Sequence, residues 1–129
     1  MRAMSDAQTL KSVFQAALLV ALSDGKPAAE EIGLINKVLS LHPAFGELPN
    51  PKGLLVETWK QLQADGMETC LERVAAAITR RDDQELAFRT CAQVMRADGR
   101  TEGEEAMVLG ELQERFGLSP ADVKRLLAG

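Results

Sequence analysis

Two Asp-Gly dipeptides, Asp24-Gly25 and Asp98-Gly99, constrain this chain most, because each follows an apolar helical stretch and precedes an acidic one. Shifting the chain by 74 residues lays one dipeptide on the other, along with Phe14 on Phe88, Val20 on Val94, Glu30 on Glu104 and Glu31 on Glu105. Apolar character also matches without identity, as in Ala17 with Cys91, Ala21 with Met95, Leu34 with Val108 and Val38 with Leu112. The pattern reads as an internal duplication of a helical hairpin. Each hairpin presents an aspartate at the end of one helix and paired glutamates in the first turn of the next.

The surrounding periodicity fills in an all-α chain of about seven helices. After Ser5 as N-cap, Leu10, Val13, Phe14, Ala17, Leu18 and Ala21 recur at helical spacing. Leu19, Val20 and Leu22 occupy the remaining faces, which predicts a first helix surrounded by the others. Asp24-Gly25 ends it, and Pro27 opens a second helix buried through Ile32, Ile35, Val38 and Leu39. The stretch LHPAFGELPNP, from Leu41 to Pro51, reads as a loop running over the surface.

A third helix is expected from Lys52 to Ala64, carrying Leu55, Trp59 and Leu62 and closed by Asp65-Gly66. A fourth uses Met67, Cys70, Leu71, Val74 and Ile78, and the corner from Arg80 to Asp83 supplies aspartates to cap a fifth from Gln84 to Ala97. The fifth turns Ala87, Phe88, Cys91, Val94 and Met95 inward. Thr101 and Glu104 have capping-box spacing before a sixth helix with Val108, Leu109, Leu112 and Phe116 as its core face. Gly117 ends that helix, and Ser119-Pro120 opens a last one that brings Val123, Leu126 and Leu127 over the core.

At 129 residues, with 46% hydrophobic and 26% charged positions, the chain has enough apolar material for one self-sufficient domain spanning residues 1–129. Absence of tyrosine and scarcity of other aromatic residues leave few strong strand formers. The net charge of −4 and pI near 5.0 oppose the basic footprint of a nucleic-acid binder. Cys70 and Cys91 have neither metal-ligand nor disulfide-scaffold spacing, so a reducing, cytoplasmic setting is expected. Val13 to Leu22, preceded by Arg2 and Lys11, imitates a signal peptide, but Asp6 and Gln15 interrupt the pattern and the stretch has a counterpart late in the chain. It is also far short of the roughly 20 apolar residues that span a bilayer, so no direct membrane insertion is expected.

The carboxylates of the two units, Asp24, Glu30 and Glu31 with Asp98, Glu104 and Glu105, admit two readings. Acidic groups at helix N-termini are favoured by the macrodipole, by about 0.3 to 1 kcal/mol each, and Asp-Gly is a common turn pair. Their recurrence at fixed offsets, with Glu102 added in the second copy, also suits a hard cation, for which clustered oxygens are the preferred ligands. An EF-hand loop is excluded, because its first and third ligand positions fall on Val20 and Leu22, or Val94 and Arg96. His42 is the only histidine and has no placed nucleophile beside it, and there is no nucleotide-binding glycine loop. No enzymatic role is expected.

Residues 17–39, ALLVALSDGKPAAEEIGLINKVL, and 91–120, CAQVMRADGRTEGEEAMVLGELQERFGLSP, resemble the two halves of a TerB-like domain of the tellurite-resistance family. The Leu-Ser step into a short final helix is similar too. The likeness runs over nearly the whole chain, departing at Lys26-Pro27, where the family more typically has a small or apolar residue and then a capping residue. It implies an all-α bundle whose two Asp-Gly units gather acidic residues on one side. It further implies a non-enzymatic part in bacterial tellurite and stress resistance, with protein partners and a divalent cation (Ca²⁺, Mg²⁺ or Zn²⁺) held by Asp24, Glu30, Glu31, Asp98, Glu104 and Glu105. The alternative is an acidic interaction scaffold with no metal.

Overall fold

A computed structural model describes residues 7–22, 45–46, 48, 50–97 and 104–128, with side chains at 7, 21, 96–97 and 104–106 excepted. The described residues form six helices and no strand: α1 (Ala7–Leu22), α2 (Pro51–Asp65), α3 (Met67–Ala77), α4 (Arg81–Ala97), α5 (Glu104–Phe116) and α6 (Pro120–Ala128). The expected second helix, the Ser5 cap, the Asp24-Gly25 and Asp98-Gly99 turns and the Thr101 cap lie outside the described residues.

The first helix is central, as its all-round apolar sequence requires. Val13, Phe14, Ala16, Ala17, Leu18, Leu19, Val20 and Leu22 are all buried, and α1 packs against α2, α3, α4 and α5, most extensively against α4. Full burial of each large apolar side chain contributes about 1.5–3 kcal/mol. The other apolar stripes close around it. Cys70, Leu71, Val74 and Ile78 come from α3 and its C-terminal cap, Ala87, Phe88, Cys91 and Val94 from α4, and Val108, Leu109, Leu112 and Phe116 from α5.

Helix ends are set by local chemistry. Asn50 caps α2, its Oδ1 accepting from the Gly53 N–H at 3.1 Å, and Pro51 supplies the first residue, one residue earlier than the pattern suggested. Gly66, at φ 88°, joins α2 to α3 and donates its N–H to the Leu62 carbonyl at 3.0 Å. At the end of α5 the Leu118 N–H reaches the Gln113 carbonyl at 3.0 Å and the Gly117 N–H reaches Glu114 at 3.1 Å, the paired bonds of a Schellman motif about a left-handed Gly117. Ser119 then caps α6 reciprocally. Its Oγ accepts from the Asp122 N–H and Asp122 Oδ2 accepts from the Ser119 N–H, both at 3.1 Å.

Two expectations need correction. The stretch from Leu41 to Pro51 is not simply a surface excursion, because Phe45 and Leu48 are buried in the core. Prolines and a glycine interrupt the helical pattern of the sequence there, but burying an aromatic ring still removes a large apolar area from water. The fourth helix of the structure also begins at Arg81 rather than Gln84, so Asp82 and Asp83 lie within its first turn instead of preceding it. Carboxylates there are favoured by the exposed N–H groups of the helix end.

Candidate functional site

Among the six carboxylates expected to form a site, Asp24, Glu30, Glu31 and Asp98 lie outside the described residues. Glu104 and Glu105 are the first two residues of α5, with their side chains also outside the description. The structure therefore neither brings the six together nor separates them. Among the described residues, no group of three or more His, Cys, Asp or Glu side chains is placed to hold a metal ion. No helix of the described residues is long and apolar enough to cross a membrane.

The two cysteines behave as packing residues. Cys91 is fully buried and burial pushes its thiol far above the ordinary range. Burial also raises Cys70; nearby Arg73 lowers it and Asp65 raises it, the desolvation being largest. Nucleophilic thiols require the thiolate, so neither side chain is poised for covalent chemistry.

What the described residues do form is a polar cleft of about 190 Å³ between α1, α2 and α3. One stripe of α1 supplies Gln8, Lys11, Ser12 and Gln15 at helical spacing, facing Glu57, Thr58 and Gln61 of α2, with Arg73 of α3 at the side. Leu19, Val74 and Cys70 complete an apolar part of the wall. Ser12 and Thr58 are 3% and 2% exposed, so two hydroxyls sit inside an otherwise apolar core region. The Ser12 hydroxyl donates to the Gln8 carbonyl at 3.2 Å, one turn back along α1. Thr58 Oγ1 accepts from Gln15 Nε2 at a long 3.4 Å. Glu57 Oε2 takes Gln61 Nε2 at 3.2 Å and lies 4.0 Å from Lys11 Nζ, while Arg73 bridges to Asp65 at 3.1 Å.

Sequence periodicity had pointed to the acidic units and missed this cleft. The signal was nevertheless present, since Gln8, Lys11, Ser12 and Gln15 form a polar stripe on a helix that is otherwise apolar apart from Thr9. No protein-family model, curated protein or solved structure matches the chain.

Proposed function

We propose that this is a non-enzymatic, TerB-like domain of a bacterial tellurite or stress-resistance system, which binds a divalent cation through the acidic residues of its two Asp-Gly units. One observation carries the reading. A shift of 74 residues maps α1, Ala7–Leu22, onto 81–96, and α4 occupies Arg81–Ala97. The burial pattern follows the same shift: Val13 with Ala87, Phe14 with Phe88, Ala16 with Thr90, Ala17 with Cys91, Leu18 with Ala92 and Val20 with Val94 are buried in both copies. These two helices also pack on each other more extensively than any other pair.

A duplicated packing register supports a duplicated unit, and each copy is followed in sequence by Asp-Gly and a pair of glutamates. Carboxylates so repeated supply the oxygen ligands that Ca²⁺ or Mg²⁺ selects, with water or backbone carbonyls completing the shell. In this reading the six ligands are Asp24, Glu30, Glu31, Asp98, Glu104 and Glu105, the protein works in the cytoplasm, and its partners are other proteins rather than nucleic acid. The net charge of −4 supports the last point.

Thermal denaturation of the full chain, with Ca²⁺, Mg²⁺ or Zn²⁺ against a chelator, tests the reading. A metal-dependent rise in Tm that disappears in Asp24→Ala with Asp98→Ala is expected. No shift at millimolar ion, or an undiminished shift in the double variant, contradicts it. Capture of a partner that is weakened by salt but indifferent to chelators favours the metal-free acidic scaffold instead.

A further inference from the structure

The cleft between α1, α2 and α3 shares no residue with the acidic units, so its role stands or falls separately from theirs. Its wall is unusual for a bundle this apolar. Burying a hydroxyl is unfavourable compared with an apolar side chain of the same shape unless its hydrogen bonds are made. Thr58 is nearly inaccessible, yet its only side-chain bond is the long one it accepts from Gln15, and its own O–H has no acceptor among the described residues. Glu57 spends Oε2 on Gln61 and Lys11, and Oε1 has no partner among the described residues. Among the described residues Lys11 has only the Glu57 contact at 4.0 Å, and Arg73 uses one of its terminal nitrogens on Asp65.

Both signs of charge therefore border one small recess, with an unspent hydroxyl donor and apolar surface inside it. The volume of the cleft sets the scale of the ligand part that would fill it. Pockets for nucleotides, cofactors and drug-sized ligands usually exceed about 300 Å³. A recess of about 190 Å³ has room for about six waters, or a molecule of roughly six to ten heavy atoms. We infer that this cleft binds a small zwitterion of the free α-amino-acid class, its ammonium on Glu57 and its carboxylate between Lys11 and Arg73, with Thr58 and Gln15 bonding the polar remainder. A simple carboxylate brings its charge up to Glu57, and a simple amine offers no new acceptor to Lys11, whose contact with Glu57 is long, or to the rest of the Arg73 guanidinium beyond its bond to Asp65.

The test titrates the full-length protein with the common L-amino acids, followed by backbone amide NMR shifts and thermal denaturation. At least one is expected to give saturable shifts concentrated at Gln15, Thr58 and Val74, with a rise in Tm of about 4 °C at ten times Kd. Its N-acetyl derivative and its decarboxylated amine are each expected to bind at least about tenfold more weakly, one charge-assisted contact being lost in each. Thr58→Val, which keeps shape but removes the hydroxyl, and Glu57→Gln, whose side chain is exposed, should both fold and both bind more weakly. Absence of localised shifts with every amino acid at millimolar concentration overturns the inference. So does equal binding of either blocked analogue, or undiminished binding by both folded variants.

Discussion

The rings of Phe14 and Phe45 meet edge to face, their centroids 5.4 Å apart and their planes at 62°. Phe14 belongs to the central helix and Phe45 lies before α2, so this pair ties Phe45 to the core. Both rings are fully buried. Edge-to-face geometry adds about 0.5–1.5 kcal/mol beyond the area that each ring removes from water.

Phe45→Ala should therefore cost about 3–5 kcal/mol, the usual range for emptying an aromatic site in a core. Urea denaturation measures it as a fall in midpoint with little change in slope. A loss below 1 kcal/mol, roughly the level of an exposed position, would contradict core insertion of this residue.

Gly66 and Gly110 make a matched pair, since an added Cβ meets nothing within 4 Å at either position. Gly66 sits at φ 88° and Gly110 lies inside α5. Gly66→Ala should destabilise by about 1 kcal/mol or more through backbone strain. Gly110→Ala should stabilise by about 0.5–1 kcal/mol, because alanine has less freedom to lose on entering a helix. Opposite signs in chemical denaturation check the assigned backbone geometry.

Asp122 titrates below the ordinary carboxylate value of 3.8, chiefly because it accepts from the Ser119 backbone N–H, then through the Ser119 side chain and Arg125. A carboxyl lowered in the folded state stabilises above its unfolded value, and that contribution is lost as pH falls through the folded value. The α6 cap should thus weaken below about pH 4, with amide protection relative to intrinsic rates falling in residues 120–128 before it falls in α4. Ser119→Ala removes the reciprocal bond and should cost about 0.5–2 kcal/mol. The backbone N–H at 119 and Arg125 still lower Asp122 in that variant, so the acid dependence in α6 should be reduced but not lost.

Neither thiol should react with a disulfide reagent at neutral pH on the timescale of an exposed cysteine. Cys91 should wait for global unfolding, since it is wholly inside and strongly disfavoured as a thiolate. Cys70, beside the polar cleft, should react first through local opening. Reagent kinetics on Cys70→Ala and Cys91→Ala separate the two, and faster modification of Cys91 would contradict its placement.

The core was readable in sequence where helical periodicity reports burial directly. Val13, Phe14, Cys91, Val94, Leu112 and Phe116 fall inward as their spacing predicts. Gly117 with Ser119-Pro120 marked a helix junction, although the reciprocal bonds between Ser119 and Asp122 had not been read from the pattern. Phe45 was missed because periodicity carries no information across a segment broken by proline. The buried hydroxyl of Thr58 was missed for a different reason: threonine is polar by type, and only the packing of α1 on α2 makes its position internal. For the acidic units the sequence supplies repetition, and their geometry belongs to residues outside the description.

The most direct test of the cation reading is calorimetric titration of Ca²⁺, Mg²⁺ and Zn²⁺ into chelator-treated protein, with Asp24→Ala plus Asp98→Ala alongside. Saturable heat for at least one ion, abolished in the double variant while its helical circular dichroism is kept, is the predicted result. No binding by the parent protein at millimolar ion, or equal binding by the double variant, would contradict the claim that the two Asp-Gly units hold a metal together.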